Sequence, residues 1–269
     1  MLRRVRNLGL DLLKGAKRLV VKAGTSNLTD ERSSLDVGKM AKLVSELMRL
    51  KRRGKELILV SSGAIGAGMG RLNLSERPES MPQLQAAAAI GQGILMQTYE
   101  YFFTNYGQPI AQLLLTKDDF NNPVRYSNLT STLETLLKWG VIPVINENDT
   151  VATEEIRVGD NDTLAAHVAM GIEAELLIIL TDVDGLYTRN PSESAESELV
   201  ETVEEVSSEV EGWASRAGKG FGGMYTKVQA AKMLAERGIP TVIVNGKEPD
   251  ILLRVFESRV GTLFLPRRH

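Results

Sequence analysis

The sequence predicts an α/β fold, with helices covering both faces of a largely parallel sheet. Three observations lead there. Apolar runs of strand length recur along the chain, amphipathic helical stripes lie between them, and polar glycine-bearing segments follow several of the runs. The runs are RLVVKA near residue 20, ELILV at 56, IAQLLL at 110, VIPVI at 141, ELLIIL at 175, PTVIV at 240 and TLFL at 262. They are continuous rather than alternating, the pattern of strands buried on both faces. Between them, DVGKMAKLVSELMRLKRRG places Met40, Leu43, Leu47 and Leu50 on one stripe and ends on Gly54. SNLTSTLETLLKWG and TKVQAAKMLAERG also close on glycine, as helix C-termini commonly do. Strand, helix, strand repeated in this way defines the class.

Two stretches depart from that rhythm. The first 17 residues, MLRRVRNLGLDLLKGAK, are basic and mildly amphipathic, and Gly9 and Gly15 weaken them as a membrane helix. They read as a peripheral helix packed on the body or on a neighbour, ahead of a single domain spanning 18–269. The polar, acidic stretch 188–220 reads as a surface excursion with one short helical segment. No apolar run approaches the roughly 20 residues that cross a bilayer, and no continuous apolar core marks a signal peptide. A cytoplasmic protein is the expectation.

Composition removes whole classes of chemistry. The chain has 269 residues, 32 Lys plus Arg against 34 Asp plus Glu, and a net charge of −2, so it offers no general basic face for nucleic acid. Cysteine is absent, which excludes disulfides, zinc ribbons and thiol nucleophiles. The histidines are His167 and His269, too few for multi-histidine metal sites. His167 falls on the apolar face of a helix and is read as a packing residue.

Attention then falls on VINENDTVATEEIRVGDNDTLAAH, residues 144–167, where Asn146, Glu147, Asn148, Asp149, Asp160, Asn161 and Asp162 crowd beside buried segments. One such cluster is explained by turns and helix caps; two in near repeat call for a ligand. In open α/β sheets ligands sit beyond the carboxyl ends of the strands. The segments KAGTSN, SSGAIGAG, NEND and TDVDG all follow strand-like runs, at that edge. SSGAIGAG and GKGFGGMYTK let backbone N–H groups approach an anion, and a helix N-terminus adds partial positive charge. Neither is a Walker loop, and no GxGxxG closes the first strand.

Lys22 closes an apolar strand, an unusual place for a strongly hydrated ammonium: it either snorkels at the strand end or, with Gly24 beside it, meets a phosphate oxygen. Lys227 opens a helix against the dipole, so something anionic is expected beside it. Asp162 is either a simple N-cap or a short rigid acid orienting both lysines. The scarcity of bases is informative too. A carboxylate acceptor is already ionised and nucleophilic at neutral pH. Phosphoryl transfer to it needs positioning and charge neutralisation, with no proton to remove.

Taken together, VVKAGTSNL, VSSGAIGAGMGRL, VIPVINENDTVATEEIRVGDNDTLAA, LTDVDGLYTRNP and GFGGMYTKVQAAKMLAERGIPTVIVNG resemble the amino acid kinase family. Within it they resemble the branch that phosphorylates the γ-carboxylate of L-glutamate. The resemblance runs from about residue 18 to 265. It implies an αβα sandwich around a largely parallel eight-stranded sheet, ATP as phosphoryl donor with Mg2+, and the first step of proline synthesis. By the same resemblance Lys22 and Lys227 flank the transferring phosphoryl group and Asp162 positions them. Ser62, Gly63, Asp149 and Asn161 contact glutamate. Lys22, Gly24, Thr181, Asp182 and the segment Phe221, Gly222, Gly223, Met224, Tyr225, Thr226, Lys227 hold ATP. Phe221 stands where the family carries a small or hydroxylated residue. The resemblance further implies a homo-oligomer, feedback inhibition by proline and a product passed to glutamyl phosphate reductase. Many relatives carry a further C-terminal PUA domain, and this sequence ends at GTLFLPRRH without one. The competing expectation is a non-catalytic amino-acid or nucleotide sensor on the same scaffold, or a related amino acid kinase.

Overall fold

The computed structural model describes residues 2–152, 161–190, 196–216 and 223–267, with side chains from residue 9 onward. Eight strands form one sheet: β1 (Arg18–Ala23), β2 (Glu56–Ser61), β3 (Ile110–Leu115), β4 (Ile142–Glu147), β5 (Leu176–Thr181), β6 (Thr202–Val203), β7 (Thr241–Asn245) and β8 (Thr262–Phe264). Their spatial order is β3-β4-β2-β1-β5-β7-β8-β6. All pairings are parallel except β7 with β8. Each of the seven apolar runs contributes a strand. The eighth, β6, lies inside the stretch read as a surface excursion, and at two residues it is too short to leave a hydropathy signal.

The alternation of side chains along each strand assigns the helices to two layers. Leu19, Val21, Leu57, Leu59, Ile178 and Val244 share one core with residues of α2 (Val37–Arg52), α3 (Ala64–Leu72), α4 (Met81–Thr104) and α10 (Ile251–Glu257). Val20, Ile58, Val60, Ile179 and Ile243 share the other with α6 (Pro123–Lys138), α7 (Asn161–Gly171), α8 (Ser208–Arg216) and α9 (Met224–Ala235). The sheet is thus buried on both faces, which is why its strands read as unbroken apolar runs. Lys22 has the parity of Val20, so its side chain enters the layer that holds α7 and α9.

Local signals account for most helix ends. Asp36 caps α2 by accepting from the Lys39 N–H at 3.0 Å. Asn122 caps α6 in the same manner, at 3.0 and 3.2 Å from Val124 and Arg125. Gly54, Gly140 and Gly238 sit just past the three helices predicted to close on glycine, and all have positive φ. The long α4 was not anticipated. Its alanines and two glycines carry little amphipathic contrast, because it presses closely on α3 rather than burying one broad stripe. A Cβ at Gly91 would stand 1.8 Å from the Ala64 carbonyl oxygen, and one at Gly68 1.8 Å from that of Ala87. Glycine at these positions permits backbone contact between the two helices.

The N-terminal helix α1 (Leu2–Gly15) packs on the body, one of the two placements expected of it. Leu13 and Ala16 are buried, and Gly9 lies against Leu263. Lys55 donates to the carbonyls of Lys14 (3.2 Å) and Ala16 and stacks its ammonium 4.7 Å from the Phe256 ring, neutralising the helix C-terminus. His167 is half-buried and stacks on Phe120 with ring centroids 4.9 Å apart. Burial lowers its pKa, and the charge of Lys117 adds to that.

The α3–α4 contact yields a test. Gly91→Ala forces a methyl into backbone and is expected to cost about 3 kcal/mol, read as a lower urea midpoint with unchanged slope. A midpoint within experimental error of the parent's would show that the two helices separate freely.

Candidate active site

Chain order and spatial order diverge around β1: β2 lies on one side of it and β5 on the other. At such a switch point the loops beyond the strand ends diverge and leave a crevice. A cavity of about 490 Å3 occupies this place. Its wall includes Lys22 from β1 and Gly24 just after it, Ser62 and Gly63 after β2, Asn146 and Glu147 ending β4 and Asp149 just beyond, Asn161 from α7, Thr181 ending β5 and Asp182 after it, and Lys227 from α9.

At the bottom is a three-residue ionic cluster. Lys22 Nζ lies 2.7 Å from Asp162 Oδ1 and Lys227 Nζ lies 3.0 Å from Oδ2, so each carboxylate oxygen carries one ammonium. The Thr226 hydroxyl donates to Oδ2 at 2.7 Å. Asp162 is fully buried and the two lysines are 3% exposed. Burial pushes the Asp162 pKa up, but Lys22 first and Lys227 second outweigh it, aided by hydrogen bonds from Lys22 and Thr226, and hold the acid below its usual range. The cluster carries a net positive charge, with both cations on the cavity wall and the anion behind them. Desolvating three charges is costly and is not a natural way to gain stability; such a cluster in a cavity wall marks a candidate functional site.

Two lysines meet here for traceable reasons. Strand parity sends Lys22 to the α7/α9 layer. Asp162 stands in the first turn of α7, where a carboxylate is favoured by the helix dipole. Lys227 is the fourth residue of α9, and Asp162 is the anion that its position demanded. The alternative that Asp162 is merely a cap is set aside by the two ion pairs.

The second half of the cavity is built on amides and hydroxyls. Asn161 Nδ2 lies 2.8 Å from the Ser61 carbonyl, 3.0 Å from Ser62 Oγ and 2.9 Å from Asn146 Oδ1. Ser61 Oγ in turn pairs at 2.9 Å with the buried Tyr99 hydroxyl. Gly63 begins α3 with φ of 99°, a left-handed conformation that glycine alone adopts at no cost, and it turns the helix N-terminus toward the cavity. Asp149 is half-buried; burial pushes its carboxyl up to about 6, with the positive charge of Arg77 offsetting part of that rise.

Of the residues expected to hold the nucleotide, Gly223 precedes α9, Met224 is buried, Tyr225 is exposed, and Thr226 serves Asp162 rather than facing the cavity. Phe221 and Gly222 lie outside the described residues. The glycines of SSGAIGAG divide their work: Gly63 and Gly66 line the cavity, whereas Gly68 serves packing against α4. Thr25 and Ser26, from the KAGTSN segment expected at this edge, also line the wall, as does Arg77, which was not anticipated. Thr25 and Ser26 follow the Lys22 strand directly, so their place was legible; Arg77 sits in a polar stretch with no pattern.

The sequence pattern of the amino acid kinase family matches residues 17–245, and the chain belongs to that family. Its curated relatives include glutamate 5-kinases. That of Caldanaerobacter subterraneus subsp. tengcongensis is 55% identical over 255 residues, covering 94% of this chain and 68% of the relative. That of Clostridium acetobutylicum is 47% identical over 259 residues, covering 95% and 97%. Among solved structures, an isopentenyl phosphate kinase superposes with a TM-score of 0.64 at 19% identity over 92% of this chain and 99% of that one. The carbamate kinase of Giardia lamblia bound to AMP-PNP gives 0.66 at 18% identity over 94% and 99%. At such identities these two establish the shared fold.

Asp162→Asn would leave two buried ammonium groups without their counter-ion. It is expected to destabilise the protein by about 3–5 kcal/mol, measured by chemical unfolding. A loss below about 1 kcal/mol, the scale of an exposed pair, would contradict the buried cluster.

Proposed function

We propose that this chain is an ATP-dependent kinase of the L-glutamate γ-carboxylate, forming L-glutamyl 5-phosphate. The observation that carries the reading is the pair of buried lysines held on one carboxylate, next to a pocket of Ser62, Asp149 and Asn161. Residues 18–269 form the kinase domain in this reading and residues 1–17 an extension of it. ATP lies along the wall formed by Gly24, Thr181, Asp182 and the start of α9, with its γ-phosphate at Lys22 and Lys227. Glutamate lies on the other side, its α-ammonium at Asp149 and the Asn161 carbonyl.

The chemistry asks little of acids and bases. A γ-carboxylate oxygen attacks the γ-phosphorus in line, a new P–O bond forms, and the bond to the bridging oxygen breaks so that ADP leaves with the electron pair. No proton is removed, which fits a chain without cysteine and a wall that holds no histidine among the described residues. Negative charge spreads over the transferring oxygens, and two preoriented ammonium groups in a dry site stabilise it without reorganising. Asp162 keeps the lysines apart and aimed. Magnesium suits this donor set as an ion carried mainly by phosphate oxygens and water, with Asp182 as the carboxylate on the nucleotide wall. When bound, it neutralises phosphate charge.

Within the same reading the protein is a cytoplasmic homo-oligomer, proline is a feedback inhibitor, and the labile acyl phosphate passes to glutamyl phosphate reductase. Among the described residues no helix is long and apolar enough to cross a membrane.

Coupled ADP release, with glutamate, aspartate and N-acetylglutamate compared side by side, tests the substrate. Turnover with glutamate alone is expected, and no turnover with any of the three would leave the scaffold as a sensor. Lys227→Ala is expected to lower kcat by about 10²–10³-fold, or ~2.7–4 kcal/mol, with the glutamate KM little changed. A raised KM at normal kcat would exchange the roles assigned here.

The pKa of Asp149 gives a pH signature. Its free carboxyl titrates near 6, and only the ionised form attracts an ammonium, so binding weakens as pH falls through that value. The glutamate KM is expected to rise about tenfold between pH 7 and pH 5, one logarithmic unit per pH unit below the pKa. Asp149→Asn should raise KM at pH 8 and flatten the profile; a parent profile flat from pH 8 to 5 would remove Asp149 from the ammonium site.

A further inference from the structure

We propose that Gln92, on α4 and off the cavity wall, is a positioning residue for the amino-acid substrate. Acting through Asn146, it holds the Asn161 amide in the pose that presents its oxygen to that substrate. The inference rests on the kinase reading above and deepens it.

The oxygen and nitrogen of a primary amide are close in size, so only the surroundings decide which of them faces a ligand. For Asn161 the surroundings decide firmly. Its Nδ2 is placed among the Ser61 carbonyl, Asn146 Oδ1 and Ser62 Oγ, at 2.8, 2.9 and 3.0 Å. The first of these can only accept. Asn146 is itself an amide, and its polarity has to be set in turn. The backbone N–H of Glu147 donates to Asn146 Oδ1 at 2.9 Å, and Asn146 Nδ2 donates to Gln92 Oε1 at 2.8 Å. The Glu147 N–H and the Ser61 carbonyl cannot reverse their roles, so those two backbone groups set the polarity; Gln92 takes the remaining Asn146 Nδ2 hydrogen and holds the Asn146 side chain in that pose.

The end of that chain is an acceptor. Asn161 is 3% exposed, and among the described residues no group donates to its Oδ1. A buried carbonyl without a donor is poorly placed unless a ligand completes it. Asp149 lines the same cavity and supplies the negative charge. A substrate ammonium has the protons for both, and a reversed Asn161 amide would meet it with N–H groups. Gln92 touches neither the substrate nor the reacting atoms. Its part is to keep Asn146 Nδ2 occupied, so that Asn146 Oδ1 stays directed at Asn161.

Steady-state kinetics on the full chain separate this role from simple packing. Gln92→Met keeps the length and removes the acceptor; Gln92→Glu keeps both length and acceptor. Gln92→Met is expected to raise the glutamate KM about tenfold, the scale of one lost buried hydrogen bond, with kcat and the ATP KM within about twofold of the parent. Gln92→Glu is expected to restore the glutamate KM to within about threefold. Gln92→Ala carries the same comparison if circular dichroism shows that the Met variant does not fold. An unchanged KM in the folded Met or Ala variant overturns the proposal, as does a Glu variant as impaired as Met, since shape would then be what matters. If the parent itself phosphorylates no glutamate, the kinase reading falls first; if it does and Gln92→Met behaves as the parent, this inference falls alone.

Discussion

The structure turns on one buried carboxylate that holds two ammonium groups apart. Asp162 meets Lys22 and Lys227 at 2.7 and 3.0 Å with essentially no water about it. Three residues from β1, α7 and α9 have to arrive together for this to exist, and none of the three charges is tolerable alone. The interaction therefore couples the fold to the chemistry. If the sheet order or the strand register shifted by one residue, Lys22 would move to the opposite layer and leave Asp162 with one partner. The cost of desolvating the cluster is met by packing elsewhere, in two apolar layers that bury almost every residue of the central strands.

Around that cluster the cavity divides by chemistry. One side is cationic and backed by a helix N-terminus; the other is amide-rich and carries the acids Glu147 and Asp149. Such a division suits two ligands of different character brought end to end. The amide side is organised as carefully as the ionic one. Its polarity is inherited from the Glu147 N–H and the Ser61 carbonyl, and Asn146 and Asn161 carry it to the cavity wall. Both halves hold their groups in fixed orientation before any ligand enters, and preorganisation of this kind is what an electrostatic site requires.

Much of this was legible in the residues. The strands were, because burial on both faces writes itself as continuous apolar runs. Lys227 was, because a cation at a helix N-terminus announces a missing anion; Lys22 stood out at its strand end, but its partnership with Asp162 was not legible there. Asp162 was legible only as one of two alternatives, since a first-turn acid is also an ordinary cap, and the tertiary contacts decided between them. Three things left no trace. α4 is too rich in alanine and glycine to show a stripe, because its contact with α3 is made by backbone. β6 is two residues long. Gln92 and Arg77 acquire their places from chain packing across more than 50 residues of sequence, in segments with no motif around them. The glycines of SSGAIGAG were half understood: a glycine that makes a turn for an anion and one that lets two helices touch look the same in sequence.

The most direct test is a crystal structure with a non-hydrolysable ATP analogue, magnesium and glutamate bound together. Both lysine Nζ atoms are expected within roughly 3 Å of oxygens of the terminal phosphate, the distance of a charge-assisted hydrogen bond, with Asp162 still between them. A terminal phosphate that settles beyond reach of either ammonium, with the Lys22–Asp162–Lys227 cluster undisturbed, would show that the buried trio is structural and that the chemistry happens elsewhere.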